Sequence, residues 1–122
     1  MSKSLNRLYY HLIWSTKNRM PCINPNLDQT IKELARQKAR ELRIKILACG
    51  NTEDHVHILV KIPPDVNIVS SIAAIKGFIS HQIKTMYPEC NLYWQRGYGA
   101  FSVSEKHIDR VWNYIERQRE HC

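Results

Sequence analysis

Six apolar residues recur at helical spacing in the second half of the chain, and this stripe constrains the fold more than any other pattern. They are Ile68, Ile72, Ile75, Ile79, Ile83 and Met86. The spacing predicts one long amphipathic helix, and Pro88 is placed to end it. Because such a stripe has to be covered by another layer of structure, the segments around this helix determine the architecture.

Strand-like and helical segments precede the long helix in a regular order. A strand rich in aromatic and branched residues is predicted over Leu5–Thr16, and a helix is predicted from an N-cap at Asn26 to about Leu42. Two further strands, Ile44–Gly50 and His55–Ile62, flank a polar four-residue turn. Their spacing and turn chemistry predict a hairpin.

After the long helix, short strands are predicted at Tyr93–Trp94 and Ala100–Val103, and Ser104 is predicted to cap a last helix. Strand, helix, strand, strand, helix, strand is the order of an α+β, ferredoxin-like fold, an antiparallel sheet with two helices on one face. The last helix is an addition, and residues 1–122 are expected to form a single domain. The predicted buried side of this last helix consists of Ile108, Val111, Trp112 and Ile115.

Charge and cysteine usage restrict the function classes. The formal net charge is +7 in 122 residues, which suits a polyanionic partner such as a nucleic acid. The four cysteines include no CxxC pair, so a structural zinc site is disfavoured. No signal peptide and no apolar run of about 20 residues is visible. We therefore expect a cytoplasmic protein without a membrane partner.

Two histidines open the predicted strand that follows the hairpin turn. His55 and His57 are separated by one residue, so both side chains point to the same face of a strand and could bind one ion. Val56 would then point into the core, and Asp54 could orient one imidazole through its second nitrogen. An HxH pair on its own is more often a pair of surface or hydrogen-bonded histidines.

Tyr114 and Gln118 form a second polar pair, on the last helix. Four residues apart, they lie on one side of that helix, and Tyr114 falls at the border of the apolar stripe. Without further context, this pattern is that of an ordinary boundary tyrosine.

Four separated motifs, in one order over nearly the whole chain, give these pairs a context. They are Ser15–Arg19 (STKNR), Glu53–Leu59 (EDHVHIL), Gly97–Ser104 (GYGAFSVS) and Tyr114–Gln118 (YIERQ). Together they resemble the small insertion-sequence transposases of the single-tyrosine HUH class, including the branch associated with repetitive palindromic elements.

The resemblance implies a role for each matching residue. Tyr114 corresponds to the nucleophile that forms a 5′-phosphotyrosine with single-stranded DNA, and His55, His57 and Gln118 correspond to the ligands of a divalent metal, Mg²⁺ or Mn²⁺. Lys17 and Arg19 would contact the DNA backbone. The implied substrates are single-stranded DNA hairpins at element ends, and the implied assembly is a homodimer with shared active sites.

Three other interpretations are compatible with parts of the pattern. A ferredoxin-like sheet with aromatic residues and positive charge could bind single-stranded nucleic acid without any chemistry. A domesticated descendant of a transposase would keep every motif and be such a non-catalytic binder. A metal-dependent hydrolase would use the histidines but attack with water, which leaves Tyr114 without a role.

Overall fold

The computed structural model describes residues 8–118, which form four strands and three helices. The strands are β1 (Leu8–Ser15), β2 (Lys45–Asn51), β3 (His55–Ile62) and β4 (Gly99–Val103), and the helices are α1 (Pro25–Glu41), α2 (Ile68–Met86) and α3 (Ile108–Glu116). Short 3-10 turns occupy Lys17–Arg19 and Glu105–His107. No helix within residues 8–118 is long and apolar enough to cross a membrane.

The four strands form one antiparallel sheet in the order β2-β3-β1-β4. The two central strands are paired along their full length, with Ile13 opposite His57 and Ser15 opposite His55. This is the ferredoxin-like arrangement that the order of elements predicts, so the predicted fold class is confirmed. Full pairing with β1 on one side and pairing with β2 on the other, interrupted by a register shift between Ile46 and Ala48, fix the backbone of β3, which carries both candidate histidines.

Each face of the sheet is covered differently. The face that contains Val56, Ile58 and Val60 is buried under α1 and α2 in the main hydrophobic core. On the opposite face, Ile115 of α3 forms a smaller cluster with Ala48 and Leu59. Since side chains alternate along a strand, α3 lies on the same face as His55 and His57.

Several predicted local details are wrong, for identifiable reasons. Helix α1 begins two residues earlier than predicted, because the Asn24 side chain, rather than that of Asn26, accepts the backbone N–H of Leu27 at 2.8 Å and Pro25 occupies the first turn. The Tyr93–Trp94 segment forms only one isolated bridge, between Trp94 and Thr16.

The beginning of the last helix also differs from the prediction. The Ser104 side chain makes no capping bond to the backbone; its hydroxyl bonds Nδ1 of His107 at 2.8 Å, and a 3-10 turn precedes α3. Trp112, which was expected to be buried, is 42% exposed, although its Nε1 donates to the carbonyl of Leu47 at 3.0 Å. Residues 5–7 of the first predicted strand lie outside the described residues.

Candidate active site between the central strands and the last helix

His55 and His57 lie on one face of β3, as their spacing predicts. Their ring centroids are 6.1 Å apart, and Val56 between them is fully buried on the other side of the sheet. Their side chains therefore face the same cleft, which has a volume of about 460 Å³ and is lined by Ile13, Arg19, Thr52, Glu53, Asp54, His55, His57 and Gln118.

Asp54 holds the ring of His55. Its Oδ1 lies 2.6 Å from Nδ1 of His55, while Oδ2 is 3.6 Å from Nε of Arg19. Burial by itself raises the pKa of the Asp54 carboxyl, but the hydrogen bond and charge of His55, a bond from Thr52 and the charge of Arg19 together bring it below its usual value. The carboxylate thus fixes Nδ1 as the protonated nitrogen of His55 and leaves Nε2 as the nitrogen able to bind an ion.

His57 is oriented by a residue that the sequence motifs do not single out. Nε2 of His11, on β1, lies 3.1 Å from Nδ1 of His57, and the two ring centroids are 5.3 Å apart. Burial, with the nearby charges of His11 and His55, lowers the pKa of His57 to about 4. Burial also lowers the pKa of His11. The His57 ring is therefore neutral near pH 7, as a metal ligand has to be.

Tyr114 stands over the two central strands at the edge of this cleft. Its ring centroid is 6.1 Å from that of His57 and 6.2 Å from that of His11, both in edge-on geometry. The side chain is 52% exposed, so the phenol is accessible from solvent while one side of the ring faces the histidines. The structure brings Tyr114 together with the His57 of its own chain.

Helix α3 is attached to the sheet by contacts on both sides of Tyr114. Ile115 is fully buried against Ala48 and Leu59, and the carboxylate of Glu116 accepts the backbone N–H of Cys49 at 3.2 Å. Gly50 allows the helix backbone to come close, because a side chain there would overlap the carbonyl of Ile115. The position of the phenol is thus set by the docking of its neighbours.

Gln118 completes the cleft from two residues beyond α3, which ends at Glu116 and is shorter than the predicted helix. It is only 6% exposed, lines the same cleft as both histidines, and its Nε2 donates to the carbonyl of Tyr114 at 2.9 Å. Because Nε2 bonds back to the helix, the amide oxygen is the atom of Gln118 that could bind a cation.

The donor set of the cleft suits a labile divalent ion. Across residues 8–118, no group of three or more His, Cys, Asp and Glu side chains could hold a metal. A metal in this cleft would therefore depend on two imidazole nitrogens and the amide oxygen of Gln118. Such a mixed set resembles an open site that keeps positions for water or substrate oxygen, rather than a closed structural zinc site. Both imidazoles are already oriented through Nδ1, so these residues fit a bound Mg²⁺ or Mn²⁺.

The basic turn after β1 reaches the cleft through one of its two cations. Arg19 lines the cleft and its side chain is 70% exposed, so it can contact a phosphate while it pairs with Asp54. Lys17 is exposed on the same turn, although it is not among the residues that line the cleft. Asn18 and Arg19 both adopt positive φ, 57° and 55°, which turns the chain sharply at this point.

Comparisons with known proteins identify the family of this chain. Residues 4–118 match the family model described as "Transposase IS200 like". Over 121 residues, the chain is 28% identical to the ISDra2 transposase TnpA of Deinococcus radiodurans, covering 93% of this chain and 86% of that protein. It is 24% identical to the transposase for insertion sequence element IS200 of Salmonella typhimurium, over 91% of this chain and 76% of that protein.

Two solved structures share the fold. A crystal structure from Deinococcus radiodurans R1, assigned as a transposase, superimposes with a TM-score of 0.74 at 27% identity, covering 93% of this chain and 92% of that one. A REP-associated tyrosine transposase bound to a REP hairpin superimposes with a TM-score of 0.70 at 18% identity, covering 90% of this chain and 65% of that one. At that identity, the second likeness shows the fold alone.

Proposed function

This chain is a member of the IS200-like transposase family, and we propose that it cuts and rejoins single-stranded DNA with Tyr114 as the nucleophile. One observation carries the proposal: an accessible phenol stands with its ring centroid 6.1 Å from that of His57, which lines a cleft together with His55 and Gln118. The hydrolase alternative gives this arrangement of the phenol no role. A non-catalytic binder leaves the orientation of both imidazoles without a purpose.

The proposed reaction is a transesterification. The phenolic oxygen of Tyr114 forms a bond to phosphorus, the bond from phosphorus to the DNA 3′-oxygen breaks, the phenol loses its proton and the departing oxygen takes one up. The product is a 5′-phosphotyrosine, which retains the energy of the phosphodiester. A 3′-hydroxyl can then attack and release the tyrosine, so rejoining requires no ATP.

The residues around the phenol have distinct tasks in this reaction. His55, His57 and Gln118 would hold Mg²⁺ or Mn²⁺, which, when bound, polarises a nonbridging phosphate oxygen. Asp54, which can only accept a hydrogen bond, keeps His55 in the tautomer that presents Nε2, and with Nε2 of His11 as the acceptor for Nδ1–H, His57 would present Nε2 in the same way. Arg19, at the edge of the cleft, would neutralise an adjoining phosphate, with Lys17 behind it on the same turn.

We propose DNA hairpins with single-stranded flanks as the substrate, acted on in the cytoplasm. The net charge of +7 suits a polyanion, and a flexible single strand can bring a phosphate to a tyrosine held on a helix more easily than a duplex can. The REP-associated neighbour was solved with a hairpin bound. Exposed rings at Tyr98 and Phe101, near the cleft, are available to stack on unpaired bases.

A homodimer with shared active sites is our proposal for the assembly, and it rests on the family resemblance. In such a site, α3 would dock on the partner's sheet through the surface that Ile115 uses here. Mixing two inactive variants, Tyr114→Phe and His57→Ala, tests the arrangement. Recovered activity in the mixture supports shared sites; none, with heterodimers present, means that each Tyr114 serves its own chain.

A covalent adduct is the decisive measurement. The protein is mixed with 5′- and 3′-labelled hairpin oligonucleotides and Mn²⁺, and a denaturing gel is inspected for a protein–DNA band. The band should disappear in Tyr114→Phe and in His55→Ala, and only one label should stay with the protein. Tyr93→Phe is the matched control, because Tyr93 is also 52% exposed, but its ring lies under the ammonium group of Lys84 rather than against His11 and His57.

The same gel distinguishes the alternatives. Cleavage that survives Tyr114→Phe and leaves no adduct would indicate a hydrolase. Tight binding of hairpins by wild-type protein, with neither cleavage nor adduct, would indicate a non-catalytic descendant.

A further inference from the structure

A second, smaller pocket adjoins the catalytic cleft. It has a volume of about 220 Å³ and lies between the end of β1 and the loop that precedes β4. Ile13 and His55 line both this pocket and the cleft, so the two spaces are neighbours across the His55 side chain. The remaining lining residues are Trp14, Ser15, Arg96, Gly97, Tyr98 and Gly99.

The loop that forms the outer wall of this pocket is held in place by Lys76 of α2. The ammonium group of Lys76 donates to the carbonyls of Gln95 and Gly97, each at 3.0 Å, and burial lowers its pKa. Nε1 of Trp94 donates in return to the carbonyl of Lys76 at 2.8 Å. The positive charge of Lys76 is thus directed at the loop backbone and orders the loop.

Two further bonds attach this loop to the catalytic side of the sheet. The backbone N–H of Gln95 donates to the carbonyl of Ser15 at 2.9 Å, and its side-chain oxygen accepts the backbone N–H of Asn18 at 3.1 Å. Gly97 adopts a φ of 92°, a conformation that L side chains rarely take. The loop is therefore preorganised, which reduces the entropy cost of binding a ligand.

The chemistry of the wall indicates what the pocket binds. Tyr98, 39% exposed, offers an aromatic ring, and Arg96 is an exposed cation beside it. No carboxylate lines the pocket as the described residues define it. The volume is below the roughly 300–1,000 Å³ of sites for drug-sized ligands, which suits a single ring system. An aromatic ring with a neighbouring guanidinium is a typical platform for an unpaired base.

We propose that this pocket binds the unpaired base next to the phosphate that Tyr114 attacks, with the Tyr98 ring stacked on the base and Arg96 on the adjoining backbone. The proposal rests on the proposed function, since it places the phosphate at His55 and His57. Base stacking in the pocket would hold the strand on one side of the scissile phosphate and so align it with the phenol.

An abasic-site scan tests this assignment. Single abasic sites are placed in turn at the positions flanking the cleavage point, and the rate of adduct formation is measured under single-turnover conditions. In wild-type protein, one position adjacent to the scissile phosphate should slow the reaction by about 5- to 150-fold, the range expected for one stacked base. Tyr98→Leu should slow the intact substrate by a similar factor and cause no further loss on that abasic substrate.

Matched variants separate stacking from a general effect. Tyr98→Phe keeps the ring and should keep the dependence on the base, whereas Tyr93→Leu, outside the pocket, should leave the whole scan unchanged. If Tyr98→Leu lowers the rate equally on intact and abasic substrates, the proposal is wrong. If wild-type protein forms no adduct on any substrate, the proposed function fails instead. The scan is then repeated as a binding titration by fluorescence anisotropy, in which equal affinity of wild-type and Tyr98→Leu for every oligonucleotide would overturn the pocket as well.

Discussion

Replacement of Gly50 by alanine should disable the site while preserving the fold. Gly50 lies on β2 opposite His57, and a Cβ at this position would be 1.7 Å from the carbonyl oxygen of Ile115 and 2.7 Å from its carbon. Ordinary contact begins at 3.4 Å, so the oxygen has to retreat by about 1.7 Å. The two close atoms of Ile115 are backbone atoms, and Gly50 belongs to β2, which is held in the sheet. The backbone of α3 therefore has to move.

This displacement of α3 should cause a large loss in the rate of adduct formation and only a limited loss in the free energy of unfolding. Tyr114 precedes Ile115 directly, and a misplacement of about 1 Å can cost on the order of 100-fold in rate. Adduct formation by Gly50→Ala should therefore fall by about 100-fold or more. The core under α1 and α2 is on the other face, so the free energy of unfolding should fall by at most about 3 kcal/mol, the value of burying one Ile side chain.

Single-turnover adduct formation and urea unfolding measure the two effects. Gly77→Ala on α2 is the matched control, because a Cβ there meets nothing within 4 Å. It should keep the wild-type rate and gain about 0.5–1 kcal/mol from the better helix propensity of alanine. If Gly50→Ala forms the adduct at the wild-type rate, the close contact between Gly50 and α3 does not position the tyrosine.

Three further predictions address the proposed metal ligands and the docking of α3. His11→Leu should weaken Mn²⁺ binding, measured by electron paramagnetic resonance, by about 10- to 100-fold, whereas His11→Gln keeps an acceptor for Nδ1 of His57 and should bind more tightly than His11→Leu; equal affinities would refute the role of this bond. The pKa of His57 is about 4 in the folded protein, against 6.5 for an ordinary histidine, so between these pH values only the unfolded chain binds a proton there. The free energy of unfolding of the metal-free protein should therefore fall by up to about 3 kcal/mol as the pH falls from 6.5 to about 4, and this stabilisation should be fully present above pH 6.5. Urea titrations in chelator should show this slope reduced in His57→Asn. Trp112→Phe removes the bond to the Leu47 carbonyl and should cost about 0.5–1.5 kcal/mol in the same assay, and no change would mean that water replaces this bond.

Elements with a strong period and clear end signals could be predicted to the residue. Strand β3 begins at His55 and ends at Ile62 before two prolines, and α2 runs from Ile68 to Met86, as the pattern predicts. The start of α1 was harder to predict from the sequence, since Asn24 and Asn26 are both residues that commonly cap a helix. Pro25 decides between them, because its fixed φ suits the first helical position.

The candidate site divides in the same way between local and long-range information. Periodicity alone placed His55 with His57, because both lie on β3, and Tyr114 with Gln118, because they are four residues apart, although α3 ends at Glu116 and Gln118 follows it rather than lying on it as predicted. His11 could not be identified from its own strand: it meets His57 only through the pairing of β1 with β3, which puts it opposite Leu59. Gly50 resembles any strand glycine until α3 is placed above it.

The roles proposed for His57 and Tyr114 impose two requirements that oppose each other. A metal-binding imidazole has to stay neutral, which burial favours, whereas a nucleophile for DNA has to be reached from solvent. His57 is 5% exposed and Tyr114 is 52% exposed, although their rings are adjacent. The difference arises because α3 covers the sheet with Ile115 and presents the preceding residue at its edge. Helix α3 thus shields His57 from solvent and leaves the phenol of Tyr114 accessible. The docking of α3 on the sheet, more than the identity of any single ligand, should therefore control activity.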